Sequence, residues 1–308
     1  MSDKKFGRAY AMRIQKPKNN ILDLDEYVEI RDPITCEFNI VKNNLASANT
    51  ANFTLYNLAE ETRSNIIKDA WNIEDQRSIE FFAGYADPGD LIPRCFNGTL
   101  KRAYSVRQGS DFKTIIEAYD GVISKPDSAI KFTFPKGTPR NVAIETIVRD
   151  IDKAGKGTVT VGKKYTDILK RAYAMAGEPM AILQQLTDGK FYIEEGNSYA
   201  IDETDVVPGD LSLISAENGL LGTPKRMETV VEIDMLFEPR IKTSQLIELQ
   251  SETADRFNGY YKVTGITHRG TISGAVCGEA ITSLTMQIYK DTVEVFDRAT
   301  SAYRVVQP

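Results

Sequence analysis

Apolar and polar positions alternate with period two through much of the first 125 residues. Glu37-Phe38-Asn39-Ile40-Val41 and Ala51-Asn52-Phe53-Thr54-Leu55-Tyr56 each put apolar side chains on one face and polar ones on the other, which predicts strands with one buried face. Residues 42–49 between them read as a polar loop rich in turn formers. A short helix is predicted over about 59–69, with Ile66 and Ile67 on its apolar side. Strands follow at 78–85, 94–106 and 111–119. Ala86-Asp87-Pro88-Gly89-Asp90 and Arg107-Gln108-Gly109-Ser110 supply the turn residues between them.

The period changes in the middle third. Thr138-Pro139 is a helix start, with a capping hydroxyl before a proline at the first helical position. Ala143, Ile144, Ile147, Val148 and Ile151 recur at helical spacing, and a glycine-rich stretch over 153–162 ends that helix. A second helix over Met180 to Leu186 carries Ile182, Leu183 and Leu186. Phe191-Tyr192-Ile193 and Tyr199-Ala200-Ile201 form a hairpin around Glu195-Gly196-Asn197. Alternation returns at 229–236, 245–249, 261–267 and 280–288. The predicted class is β-rich α+β: an N-terminal β module (1–125), a small α/β insert (126–205) and a C-terminal β module with a tail (206–308).

Composition narrows the function more than the fold. The chain has 308 residues, with 42% hydrophobic and 26% charged positions, ordinary globular usage. Its net charge is -5, which argues against a protein devoted to gripping phosphate backbones. No apolar run approaches the ~18 residues of a membrane helix, and the N-terminus lacks the apolar core of a signal peptide. Cys36, Cys95 and Cys277 are scattered, with no metal-ligand spacing. They read as small, partly buried hydrophobes in a reducing compartment, hence a protein folded in a cytoplasm.

Catalytic signatures are missing from the sequence. The only histidine, His268, sits where a strand is predicted to run into a glycine turn, and no nucleophile elbow accompanies it. One histidine and three dispersed cysteines make no zinc site. Acid runs such as Asp23, Asp25 and Glu26, or Asp202, Glu203 and Asp205, read as solvated faces. A glycosidase-like carboxylate pair is the catalytic alternative they leave open. Gly219-Leu220-Leu221-Gly222 lacks the Lys-Ser/Thr of a phosphate loop. Charge is uneven: Lys4, Lys5, Arg8, Arg13, Lys16 and Lys18 crowd the N-terminus, whereas Glu194, Glu195, Asp202, Glu203, Asp205 and Asp210 form a stretch without any base. These are either solvated surfaces or complementary patches that orient neighbouring subunits.

One resemblance goes further. Asn52-Phe53-Thr54-Leu55-Tyr56-Asn57-Leu58-Ala59-Glu60-Glu61-Thr62-Arg63 resembles the strand, Tyr-Asn-Leu corner and Thr-Arg helix start of phage tail baseplate hub proteins. Ala83-Gly84-Tyr85, Phe96-Asn97-Gly98-Thr99-Leu100, Gly109-Ser110-Asp111-Phe112, Thr114 and Asp120-Gly121 follow in the same order. So do Asn218-Gly219-Leu220-Leu221-Gly222-Thr223-Pro224, Leu236-Phe237-Glu238-Pro239, and Tyr260-Tyr261-Lys262-Val263 through His268-Arg269-Gly270. The match runs from about 35 to 285. It implies a structural protein without cofactors or catalytic residues, built from two tube-like antiparallel β-barrel modules around the insert. The family-motif positions it marks are Tyr56, Asn57, Leu58, Thr62, Arg63, Gly84, Tyr85, Gly98, Gly121, Gly219, Gly222, Pro224, Pro239, His268 and Gly270.

The resemblance also implies a homotrimer in the tail of a virion. Its partners would be the tail tube protein, the spike protein, the tape-measure protein and other baseplate proteins, with DNA only in transit and no membrane insertion. Some relatives carry a fused lytic spike domain that has no counterpart here, which leaves open whether a separate chain supplies it. A tail-associated peptidoglycan hydrolase and a carbohydrate-binding tail module are the rival readings. The single Trp71 and scattered tyrosines give the latter little support. The two β modules are further expected to be copies of one fold, with Cys36 to Val41 matching Val231 to Leu236, Ala51 to Tyr56 matching Gln245 to Leu249, and each module ending in a glycine hairpin.

Overall fold

A computed structural model describes residues 7–18, 24–45, 47–72, 74–85, 91–120, 130–151, 157–208, 211–274, 278–290, 293–297 and 302–306. The N-terminal part contains β1 (Arg8–Gln15), β2 (Tyr27–Arg31), β3 (Cys36–Asn43), β4 (Thr50–Tyr56), α1 (Glu60–Ile66), β5 (Ser78–Tyr85), β6 (Arg94–Gln108) and β7 (Asp111–Tyr119). The middle part contains β8 (Ile130–Phe134), α2 (Arg140–Ile151), β9 (Val159–Val161), β10 (Tyr173–Gly177), α3 (Pro179–Leu186), β11 (Phe191–Glu194) and β12 (Asn197–Ala200). The last part contains β13 (Ser212–Ile214), β14 (Leu220–Met227), β15 (Val230–Leu236), β16 (Leu246–Leu249), β17 (Gly259–Ile272), β18 (Ala280–Ile288), β19 (Val293–Asp297) and β20 (Ala302–Val306).

The β-rich class is as the alternation predicts. The strands of the two ends form one 13-stranded sheet, ordered β14-β15-β18-β17-β3-β4-β7-β6-β5-β1-β2, with β16 on β17 and β13 on β16. The two ends of the chain meet where β3 pairs antiparallel with the second half of β17, Asn39 opposite Arg269. The first half of β17 pairs with β16, and a bulge between Val263 and Gly265 separates the two stretches. Among the described residues no pairing closes either half of this path into a barrel. No described helix is long and apolar enough to cross a membrane.

One face of the sheet is dry. In β3, Cys36, Phe38 and Ile40 are buried while Glu37, Asn39 and Val41 are exposed, as period two requires. Phe81 sits at the centre of the first core, with ring centroids 4.8 Å from Phe53, 5.4 Å from Phe38 and 6.0 Å from Tyr10. The aromatic chain continues from Phe38 to Phe237 (5.4 Å) and from Phe237 edge-on to His268 (5.6 Å), so the first core reaches into the C-terminal strands. Separate cores lie between α2, α3 and the small sheets of the middle part, around Ile144, Ile147, Leu183 and Phe191, and within the C-terminal strands, around Ile233, Ile247, Val263 and Met286.

Several expectations are corrected. Lys42 and Asn43 belong to β3, not to a loop, and Lys42 is buried. Ile67 ends α1 and is exposed; only Ile66 faces the core. The Thr138 hydroxyl donates to the Pro135 carbonyl instead of capping α2. His268 lies well inside the 14-residue β17, not at its end. The two β modules are not copies: β3-β4-β7-β6 is the strand order in the first, whereas the matched strands run β15-β18-β17-β16 in the second. The physical difference is the connection. Residues 44–49 fold β4 straight back on β3, but residues 237–245 carry the chain past β18 and β17 to the far side of the sheet.

Because Phe81 touches three other aromatic rings, Phe81→Ala is expected to lower the unfolding free energy by about 3–5 kcal/mol. A urea transition that shifts its midpoint without changing its slope checks this.

Candidate functional site: a buried ionic junction and a polar sheet face

Two arrangements stand out, one inside the molecule and one on its surface. The internal one begins at Lys42. The phase that buries Phe38 and Ile40 also turns Lys42 inward, where its side chain is 1% exposed. A buried ammonium needs anionic partners, and the β11–β12 hairpin provides them. Its turn, Glu195-Gly196, has φ of 53° and 79°, the twist that suits a two-residue hairpin. Lys42 Nζ lies 2.6 Å from Glu195 Oε1 and 3.5 Å from Glu194 Oε1.

Neighbouring elements complete the cluster. The other oxygen of Glu194 accepts hydrogen bonds from the Thr243 hydroxyl (2.6 Å) and backbone N–H (3.2 Å). The Glu195 backbone N–H donates to the Asp120 carboxylate. Asn49 Nδ2 donates to the Ile193 carbonyl at 3.1 Å. Nearby, Lys262 donates to the backbone carbonyls of Asp202 and Asp205. The middle part of the chain is thus clamped to β3 and β7 on one side and to the 243 region and β17 on the other.

The electrostatics follow from burial. Burial alone would pull Lys42 down, but Glu195 and Glu194 outweigh it and hold the ammonium above its ordinary range. Burial pushes Glu194 up against the pull of Lys42, and pushes Asp120 up to about 6. Lys262 is brought down to about 8 by burial, against the nearby Asp202 and Asp205. His268, fully buried, is held well below its ordinary value by burial and by Lys42, so it is neutral, with Nδ1 2.9 Å from Thr282 Oγ1. The Cys36 and Cys95 thiols are both fully buried and raised by it.

This geometry resolves the acid stretch after residue 193. Glu194 is an internal counter-ion, Asp202 pairs with Lys164 at 3.1 Å, and Glu203 pairs with Lys190 at 2.7 Å. No group of three or more His, Cys, Asp or Glu side chains suited to a metal occurs among the described residues.

The motif positions fall in separate places. Tyr56, Asn57 and Arg63 gather on the β6–β7 hairpin: Tyr56 OH donates to Glu37 (2.7 Å), Asn57 brackets Asp111 and Phe112, and the Arg63 guanidinium lies 3.9 Å above the Phe112 ring. Leu58 is in the core beside them, and Thr62 is in α1. Gly84 and Tyr85 end β5, next to Pro93. Gly98 and Gly270 allow close backbone approach: a Cβ would stand 2.3 Å from the Tyr119 carbonyl oxygen at the first and 2.6 Å from that of Glu279 at the second. Gly219 and Gly222 have positive φ beside and within β14, and Pro224 stands in that edge strand. Pro239 is buried after Phe237. His268 touches the ionic junction only through the field of Lys42, and Gly121 lies outside the described residues.

Sequence reasoning missed Lys42, Asp120, Glu194 and Lys262 as junction residues. The signal for Lys42 was present, since Cys36, Phe38, Ile40 and Lys42 share one parity.

The surface arrangement is the other face of the large sheet. Its side chains form polar rows, one of which crosses the boundary between the two ends of the chain. One row runs Arg269, Asn39, Asn52, Glu117, Arg102. Another, Asp234, Ser283, Thr267, lies within the C-terminal strands and meets the exposed Val41 of β3 at the boundary. Charges of both signs are interspersed, as in the Arg102–Glu117 and Arg31–Glu29 pairs. No layer covers this face among the described residues; Glu37, Asn39, Asn52, Glu232 and Arg269 are all exposed.

Comparison with solved structures identifies the architecture as that of tail proteins. A tail protein from Neisseria meningitidis MC58 superposes with a TM-score of 0.56 at 10% identity, covering 92% of this chain and 97% of that one. The 43 kDa tail protein of prophage MuSo2 from Shewanella oneidensis gives 0.57 at 8% identity, covering 92% and 98%. The E. coli c3393 protein, a component of the type VI secretion system with structural similarity to T4 tail proteins gp27 and gp5, gives 0.55 at 10% identity, covering 84% and 75%. No curated protein sequence matches significantly. The sequence profile of the baseplate hub gp41 family matches residues 18–270, and the chain belongs to that family, a family of structural tail proteins.

Removing Lys42 strands the buried Glu194 carboxylate and takes from the half-buried Glu195 its nearer partner, leaving it Arg94 at 3.7 Å. Lys42→Met is therefore expected to cost about 3–5 kcal/mol, and adding Glu194→Gln and Glu195→Gln to recover part of it, both read from urea unfolding. Asp120 adds a pH signature. Its folded value of about 6 lies above the ordinary 3.8, so the folded state holds the proton more tightly. Its contribution to stability is present below pH 4 and falls away as pH rises to 6. Asp120→Asn is expected to flatten that part of the stability–pH curve.

Proposed function

We propose that the chain is the baseplate hub of a contractile phage tail, three copies forming a ring between the tail tube and the central spike. In this reading the divisions 1–125, 126–205 and 206–308 are its working parts. The first and last are the tube-like β modules, and the middle part is held to both by the Lys42 junction. The ring initiates the tube, contacts the tape-measure protein and other baseplate proteins, and leaves a channel for DNA. It is assembled in the host cytoplasm and does not enter a membrane.

The observation that carries this reading is the polar sheet face. A hub needs a wall rather than a cleft, and a sheet with one dry and one wet face is a wall. A wall that DNA passes must not hold it. Tight non-specific binding comes from neutralising phosphates with clustered bases, whereas here Arg269, Arg102 and Lys113 alternate with Glu37, Glu117 and Asp234. Family membership and the likeness to tail proteins support the same assignment. The carboxylates that the fold gathers at the Lys42 junction, Glu194 and Asp120, are buried, so that cluster lends the rival hydrolytic reading no support.

Two measurements test the proposal. Reconstruction of tails carrying a tagged copy of the chain is expected to show three copies at the tube–spike junction; six copies, or one, overturns the ring of three. Duplex DNA is expected to bind the purified chain no tighter than about 1 μM at physiological salt. Submicromolar binding with a steep salt dependence counts against a passive channel.

A further inference from the structure

The large sheet does not contain all the strands. After Tyr289, whose hydroxyl donates to the Thr204 carbonyl (3.1 Å) and whose N–H donates to the Tyr260 carbonyl, β19 and β20 form a two-stranded sheet of their own. Val293 opposes Val306, and Phe296 opposes Tyr303. Neither strand pairs with any other described strand. An isolated two-stranded hairpin is marginal in water, yet this one is rich in strand formers, Val293-Glu294-Val295-Phe296-Asp297 and Ala302-Tyr303-Arg304-Val305-Val306, and Val305 is 60% exposed. It lies outside the stretch, 18–270, over which the family profile matches. A sequence this suited to pairing, without a further partner among the described strands, calls for a sheet edge elsewhere.

The same chain carries a fitting edge. Among the described residues the large sheet ends at β14 on one side and β2 on the other. β14 is blunted, with Pro224 inside it, a bulge between Leu221 and Lys225, and exposed Lys225 and Arg226. β2 carries exposed charges too, Glu29 and Arg31, but it contains no proline and no bulge, and its five residues equal the length of β20. Its outward groups can be assigned. The Lys16 N–H bonds the Glu26 carbonyl, so the alternation of an antiparallel pair turns Val28 and Ile30 toward β1 and leaves the N–H groups of Tyr27 and Glu29 pointing away from it.

We propose that the hairpin β19–β20 is an arm that adds to the β2 edge of a second copy of this chain, extending that copy's sheet. The contact is head-to-tail, with a donor hairpin and an acceptor edge on every copy, so it generates a ring when the rotation closes. It does not depend on the hub reading, because its test reads only how the purified chain associates with itself.

The experiment compares the full chain with a chain ending at Lys290 and with Glu29→Pro, which removes an outward N–H that β1 does not use. Tyr27→Pro, at the first position of the strand, serves if Glu29→Pro fails to fold. Sedimentation across the micromolar range is expected to show the full chain associating, and each variant at least about tenfold weaker, a change of about 1.4 kcal/mol. Thermal unfolding of the shortened chain is expected to match that of the full chain. The shortened chain retains an acceptor and the proline variant retains a donor, so mixing them is expected to give a 1:1 dimer and nothing larger. The proposal is overturned if the full chain stays monomeric, if the shortened chain associates as well as the full one or loses its fold, or if the mixture remains monomeric.

Discussion

A positive charge deprived of water governs how the parts of this molecule meet. Once Lys42 follows Phe38 and Ile40 to the inner face of β3, the ammonium must be neutralised where it lies, and no acid on its own strand can do so. The β11–β12 hairpin brings Glu194 and Glu195 to it; the Glu194 carboxylate in turn accepts hydrogen bonds from Thr243, and the Glu195 backbone N–H donates to Asp120. Each contact belongs to a different stretch of chain. Such a cluster adds little net stability over an apolar replacement of the same volume, but losing one of its members strands the charges that remain.

Around that point the apolar cores do the stabilising. The aromatic chain from Tyr10 through Phe81, Phe38 and Phe237 to His268 joins strands from both ends of the sequence, while the middle part keeps a core of its own. The division of labour is physical. Dispersion and dehydration supply the driving force, and the ionic junction selects the orientation of the middle part against the sheet. The outer face contributes to neither, which leaves it free to be polar.

Most of the sheet was legible because period two survives wherever one face is wet. The strands at 78–85, 111–119 and 280–288 have the boundaries that alternation predicts. β1 and β2 were not recognised, and β17 was cut short, since its bulge shifts the parity between Val263 and Gly265 and hides its length. The junction escaped for a different reason. A lysine between Val41 and Asn43 looks like the start of a loop, and only its phase with Ile40 betrays its burial. The acid stretch looked like surface because sequence distance conceals that Glu194 meets a lysine from β3. Strand order is beyond a pattern-based reading altogether, and two similar runs of alternating residues proved to be wired differently.

The pairing of β3 with β17 carries a consequence for the newborn chain. Residues 36–43 leave the ribosome long before residues 265–272 exist. At ~5–20 residues per second, β3 waits on the order of ten to forty seconds for the strand that will cover its second edge. Throughout that interval the N-terminal strands can fold against one another through β4 and β7, but β3 remains an open template, and Lys42 lacks its counter-ions until residues 194 and 195 emerge. Completion of the sheet is therefore a late event in synthesis, and a truncated chain lacks the continuous wall whatever the quality of its first core.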